Sequence, residues 1–367
     1  MADTFTQELA WTRRHLPRLQ RALANLPDMN GVRLACSMHL DIKMIPLVEG
    51  ILAKGASVFL TTCNPTTVQN DTVAHLVAQG AAADAWRDMP PDAHLAAVEK
   101  ALAWEPTHLC EMGADLTARL HQRPDDLPIR AGLEATGSGI NRLGGITPRY
   151  PIFNWDDLPV KEGLHNRHMV GLTAWHTFFQ TTRLTLHEKQ VLVVGYGLVG
   201  QGVAAAARAY GGMVTVAERD PARALMAKYD GWTVRPLPEF LPHADVVVTA
   251  TGAHHVLGAA DFARLRDGAF LLNVGHEADE LDIAALRAYP HERVLPFVEA
   301  FTVNGRTLYL LAGGSMLNLT AGGGDSLNAF DVTLAVLAAG IGHIVGDGAQ
   351  APPGVHMLPQ ATWLAAI

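Results

Sequence analysis

Along this chain, short unbroken apolar runs alternate with longer stretches in which apolar residues return every three or four positions. Val32–Cys36, Ser57–Thr62 and Thr107–Met112 are of the first kind. Ile45 to Ala53, Val68 to Gln79 and His94 to Leu102 are of the second, and residues 1–30 also read as helical. Runs apolar at consecutive positions are strands buried on both faces. Such strands separated by helices build a parallel sheet with helices on each side. Pro148 to Gly163 is rich in proline and aspartate and reads as a loop. The pattern then restarts, with a helix over Leu172 to Leu184 and strands at Val191–Val194, Met213–Ala217, Asp245–Gly252 and Ala269–Gly275. A long apolar helix from about Ser326 to Val345 follows once the second sheet is complete, so it is expected to rejoin the first.

One turn carries chemistry. The run Val191–Val194 leads into Gly195-x-Gly197-x-x-Gly200, then a helix opened by Leu198 and Val199, then a second strand ending at Glu218. Strand, glycine turn, helix, strand and acid in that order are the dinucleotide fingerprint in its required context. Gly195 permits the turn, Gly197 lets backbone approach a pyrophosphate, and Gly200 lets helix and strand pack closely. The helix N-terminus offers N–H groups to phosphate. Glu218 suits the ribose hydroxyls of NAD and disfavours a 2′-phosphate, while Arg219 and Arg223 follow it. Thr251-Gly252 and Val274-Gly275 stand at later strand ends, where doubly wound sheets hold ligands. The fold class is therefore α/β, with two doubly wound, Rossmann-like domains built on parallel sheets. The cofactor domain, 171–326, is inserted into a substrate domain, 1–170 with 327–367.

Composition narrows the class. The chain has 367 residues, 49% of them apolar, and a net charge of −8, so no nucleic-acid footprint is expected. No apolar run suggests a membrane span, and the N-terminus has no signal-peptide core. Cys36, Cys63 and Cys110 form no CxxC and fit a reducing cytoplasm. The histidines are scattered without ligand spacing, so no metal is expected.

Several segments together resemble the S-adenosylhomocysteine hydrolase family. They are VLVVGYGLVGQGVAAAARAYGGMVTVAERDP, VVVTATGAHHVL and LLNVGHEADELDIAAL in the cofactor domain. Outside it they are SMHLDIKMIPLVEGILAKGASVFLTTCNPTTVQND, EMGADLT, EATGSGINRL, PIFNWDDLPVKEGLHN, LNLTAGGGDS and GVHMLP, in the family's order. The resemblance implies a bound NAD that oxidises a ribose 3′-hydroxyl, after which the acidified 4′ proton is lost and a 5′ thiolate leaves. Water then adds and the ketone is reduced back. By the same resemblance Lys161 is the base for the hydroxyl proton, and His39 and His276 serve the leaving group and the added water. Asn318 meets the nicotinamide amide, Thr136 and Ser138 occupy the family's threonine run at the nicotinamide, Asn166 follows the lysine loop, and Cys63 lies near the substrate. A small-molecule substrate and a homo-oligomer, dimer or tetramer, are expected.

The departures fall on the substrate residues. Met112 stands where the family has an acid, and Ala135 where it has a glutamate, with Glu134 one residue earlier. His165 replaces an aspartate and Asp325 a histidine. Asp41 and Lys43 stand for a threonine and for the glutamate that reads the adenine side. Retained proton-transfer residues with altered recognition imply the family's chemistry on a different nucleoside-like substrate. Two other readings are an NAD-linked dehydrogenase of the 2-hydroxyacid type and a non-catalytic NAD-binding paralogue.

Overall fold

The computed structural model describes residues 4–123, 127–275 and 279–367. The chain divides into two compact units, 1–161 with 327–367, and 162–326. The first division falls at 161/162 and not at 170/171. The reason is local: a π-helix, Lys161–Met169, runs directly into the α-helix Val170–Thr182, whose Trp175 and Phe178 are buried in the second unit's core. The stretch 148–163 is accordingly not all loop. It holds a short strand, Pro151–Asn154, and the start of the π-helix, neither of which has a long apolar period to betray it. The N-terminal helical region is two helices, Thr4–Arg14 and Pro17–Ala24, the second opened by a proline that needs no N–H partner there.

The strands of the first unit are β1 (Arg33–Ser37), β2 (Ser57–Thr61), β3 (Ala82–Ala83), β4 (His108–Glu111), β5 (Ala131–Glu134) and β6 (Pro151–Asn154). Those of the second are β7 (Gln190–Val194), β8 (Met213–Ala217), β9 (Thr233–Val234), β10 (Val246–Thr249), β11 (Ala269–Asn273), β12 (His291–Leu295), β13 (Val298–Val303) and β14 (Arg306–Leu311). The first unit regains β15 (Gly354–Met357) near the C-terminus. Its sheet runs β15-β6-β5-β4-β1-β2-β3, parallel throughout. The second runs β12-β13-β14-β11-β10-β7-β8-β9. In each sheet the strand order reverses beside the first strand, at β1/β4 and at β7/β10, the place where doubly wound sheets open a crevice at their carboxyl ends. The antiparallel hairpin β12–β13 was not expected. Its outer strand is fully exposed and charged, so it lacks the buried run that marks the others.

Burial follows the pleat. Cys36, Leu60, Cys110, Leu133 and Phe153 face one core of the first unit, and Ala35, Phe59, Leu109 and Ile152, one residue earlier, face another. The helix Leu327–Val345 is long and apolar enough to cross a membrane, but it is a core helix here. It packs on β5 and on the helix Pro17–Ala24 and carries a buried aspartate. Asp331 accepts the backbone N–H groups of Arg18 (3.0 Å) and Leu19 (2.9 Å), the open N-terminus of that helix. The chain's return into the first unit is thus locked to the helix Pro17–Ala24. Asp331→Ala should lower stability by about 1–3 kcal/mol in urea unfolding, since two helix donors lose their acceptor. Asp331→Asn, which keeps one acceptor, should lose less.

Candidate functional site

The second unit places a ready cradle at its switch point. Gly195 sits at φ +99°, where a side chain is strained, and a Cβ on Gly200 would collide with the Gly195 carbonyl. Above Gly197 the space is open: the nearest atom to a Cβ there would be Arg223 Nη1, at 3.9 Å. A tight turn, a close helix and an open middle glycine facing a guanidinium are what a pyrophosphate needs. Glu218 ends β8 beside this turn, accepting the N–H of Tyr196 at 2.7 Å and of Asp220 at 2.8 Å. Arg219 follows it and is exposed. At the end of β10, the N–H groups of Thr251 and Gly252 are directed at the carboxylate of Glu280, at 3.0 and 2.7 Å. Burial raises the Glu280 carboxyl above its usual range, and those donors hold the shift back. Val274 is buried, and Gly275 donates to Asn273 Oδ1 at 2.7 Å. Asn318 is 4% exposed, and its Oδ1 has no partner among the described residues. A buried amide oxygen left without a donor is costly. The carboxamide N–H of a nicotinamide would satisfy it, so the residues fit NAD.

The same unit joins two of the departures. His165 Nδ1 lies 3.1 Å from Asp325 Oδ2, with both side chains largely buried. The Thr173 hydroxyl donates to the other oxygen of Asp325, at 3.4 Å. Read from the sequence as separate changes, acid to histidine and histidine to acid, the two side chains meet as one couple here. Asn166 follows on the π-helix. His276 lies outside the described residues.

In the first unit, His39 leaves the end of β1 and shares its Nδ1 with Thr67 Oγ1 at 2.8 Å and Cys63 Sγ at 3.6 Å. Burial, then the charges of Asp115 and Glu134, push the Cys63 thiol well above its usual range, so it is a thiol and not a thiolate. Two residues beyond His39, Asp41 caps the 3₁₀ turn Ile42–Met44 and binds Lys43 Nζ at 2.9 Å. Both are buried, and the ammonium lies 5.5 Å from the Phe330 ring centroid. Lys161 Nζ is 3.6 Å from Asp156 Oδ1 and 6.0 Å from the Trp155 ring centroid.

The final row of this sheet is polar from β2 to β6. Thr61, Ser37, Glu111, Glu134 and Asn154 are register neighbours on β2, β1, β4, β5 and β6. Glu111 accepts the N–H groups of Leu116 and Thr117, closing the N-terminus of the helix Asp115–His121. Glu134 accepts from Gly113 and Ala114, both at 2.9 Å, and from the N–H and hydroxyl of Thr136. A Cβ on Gly139 would strike this carboxylate, so the next helix can approach it only as glycine. Glu134 is therefore committed to backbone and is not poised to swing toward a ribose. Thr136 caps the helix Gly137–Leu143 through Gly139 N–H and lies 3.2 Å from Ser138 Oγ, both in the first unit. Met112 is half-buried against the core.

Comparison with known proteins gives this geometry a lineage. The profile of S-adenosyl-L-homocysteine hydrolase matches residues 7–134, and that of its NAD binding domain matches 175–324. The S-inosyl-L-homocysteine hydrolase of Methanopyrus kandleri is 31% identical over 96% of this chain and 86% of its own. An adenosylhomocysteinase of Aeropyrum pernix is 32% identical over 97% and 88%. The S-inosyl-L-homocysteine hydrolase of Methanothermobacter thermautotrophicus is 31% identical over 98% and 89%. The chain belongs to the S-adenosyl-L-homocysteine hydrolase family. It is an adenosylhomocysteinase-like enzyme that uses NAD, and the 2-hydroxyacid dehydrogenase and non-catalytic readings fall away.

Four residues of the family member's site were not singled out in the sequence: Thr67, Glu111, Asp156 and Glu280. Each is recognised by what it touches across the fold, and only Asp156, in a short acidic run five residues before Lys161, carried a local signal. The paired glutamates also set a pH dependence. Burial, then the Glu134 charge, pushes Glu111 up to about 8, and burial pushes Glu134 up to about 7. Folded values above the unfolded 4.5 mean the native state holds the extra proton. The stability they contribute is full below pH 4.5 and is lost as pH rises through 7 to 8. Melting temperatures from pH 5 to 9 should show Glu111→Gln, which mimics the protonated acid, gaining on the wild type as pH rises. The gain should approach about 1.4 kcal/mol per pH unit in the steep region.

Proposed function

We propose that this enzyme cleaves a nucleoside thioether of homocysteine whose base carries a ring carbonyl, as in S-inosyl-L-homocysteine, in preference to the adenosyl compound. The observation that carries the reading is the buried Lys43–Asp41 pair two residues beyond His39. By family resemblance that position reads the base with a carboxylate, which accepts from an exocyclic amine. An ammonium can only donate, so it suits a carbonyl oxygen and opposes an amino group. Relatives bearing either name stand at the same level of identity, 31–32%, so overall likeness does not choose between them and the base-side residue does.

NAD bound at Gly195–Gly200, Glu218 and Asn318 supplies reversible oxidation of the ribose 3′ carbon, which acidifies the neighbouring 4′ C–H. The protein's groups move the protons. Lys161 takes the proton of the 3′-hydroxyl and returns it at the end. His39, oriented through Nδ1 by the Thr67 hydroxyl, serves the departing sulfur. The Cys63 thiol, kept protonated by burial, adds no competing nucleophile there. The three free cysteines support a reducing cytoplasm as the place of action.

Release of homocysteine thiol, followed with a disulfide reagent, tests the reading directly. The inosyl thioether should be turned over with kcat/KM at least about tenfold above the adenosyl one, the discrimination expected of one mismatched buried polar contact. Equal or reversed preference overturns the base assignment while leaving the chemistry. Lys161→Ala should reduce kcat by about 10²–10⁴ with cofactor retained, and undiminished turnover refutes the lysine's role.

A further inference from the structure

Asp156 is an unassigned acid that pairs with Lys161. It lies between β6 and the π-helix, in a connection built to hold it still. Its own N–H donates to Asn154 Oδ1 at 2.9 Å, and Asn154 Nδ2 in turn donates to Asp157 Oδ2 at 2.6 Å. A Cβ on Gly137 would stand 3.3 Å from Asp156 Oδ2, so the start of the helix Gly137–Leu143 closes over that oxygen and a side chain there would crowd it. The other oxygen, Oδ1, faces Lys161 Nζ at 3.6 Å. Both side chains are nearly out of solvent, 12% and 11% exposed. The indole of Trp155, 1% exposed, has its ring centroid 6.0 Å from the lysine ammonium. Of the acids in the connection, Asp157 accepts from Asn154, and the neighbouring helix places Gly137 against Asp156. Glu162 follows Lys161 in the chain.

We infer that Asp156 is a positioning residue for the base: it fixes the Lys161 amine in place and compensates the positive charge that appears when Lys161 takes the substrate's hydroxyl proton. The proton leaves the 3′-oxygen and the N–H bond forms on Nζ, and no proton passes to Asp156. The carboxylate acts through its fixed negative charge, as the acid of a catalytic triad steadies an imidazolium. The inference rests on Lys161 being the base.

A charge-specific role has a signature that a structural one lacks. Removing the carboxylate makes the protonated amine easier to deprotonate and the neutral amine a weaker base. In Asp156→Asn the acid limb of the kcat–pH profile should move down by about one unit or more, and the plateau should fall by about ten- to a hundredfold. KM should change little, since a positioning residue acts through Lys161. Asp156→Ser, smaller and also neutral, should show the same limb shift, and Asp156→Glu should restore the wild-type limb. The substrate is S-inosyl-L-homocysteine, or S-adenosyl-L-homocysteine if that is turned over faster. If both neutral variants keep the wild-type limb, or if neither folds by circular dichroism, Asp156 is a structural residue and the inference is overturned. Lys161→Ala separates the two ideas: turnover there refutes the base assignment, whereas a dead Lys161→Ala beside an unshifted Asp156→Asn refutes only the role of Asp156.

Discussion

Parallel strands end together, and the chemistry of this enzyme depends on that constraint. A parallel sheet brings the carboxyl ends of strands far apart in sequence to one edge, and the reversal of strand order opens that edge. In the first unit the edge collects Ser37, Thr61, Glu111, Glu134 and Asn154 into a single row, from segments spread over more than a hundred residues. His39 leaves the same edge from β1, beside the reversal. In the second unit the corresponding edge carries the glycine turn, Glu218, Thr251 and the Asn273–Gly275 corner. Two sheets with the same winding therefore each offer a polar edge, and that of the second unit belongs to the NAD binding domain.

Such an edge must also be kept from collapsing, and buried carboxylates do this work. The loops that follow β4 and β5 would leave backbone N–H groups without acceptors under a layer of helices. Glu111 and Glu134 accept them, as Glu280 does in the second unit and Asp331 does for the N-terminal helix. Placing two acids side by side out of water is unfavourable to their charge, so the pair holds protons to higher pH than exposed acids would. Other buried polar groups are arranged differently: Lys43 lies against Asp41, Lys161 against Asp156 and His165 against Asp325. Removing one member of any such pair strands the other.

Much of this was legible along the chain. The strand–turn–helix context of Gly195–Gly200, with Glu218 at the right remove, needs only local sequence, because the turn, the helix dipole and the acid act within one βαβ unit. The two-unit plan and the return of the last long helix follow from apolar runs that outnumber what one sheet can hold. The hairpin β12–β13, the short strand β6 and the π-helix from Lys161 were not legible. An exposed strand, a four-residue strand and a widened helix have no period of their own, and their neighbours define them.

The sequence by itself determined the α/β class, the dinucleotide turn and the presence of Lys161, His39 and Asn318, because strand burial and tight turns are local consequences of residue type. Only the tertiary structure decided which charges are partnered. That Glu134 is spent on backbone, that Lys43 rests on Asp41, that His165 and Asp325 are one couple and that Asp156 stands at the base are facts of distance. An ion pair needs its members within a few ångströms, and parallel sheets and closing helices bring them that near without regard to their separation in the chain.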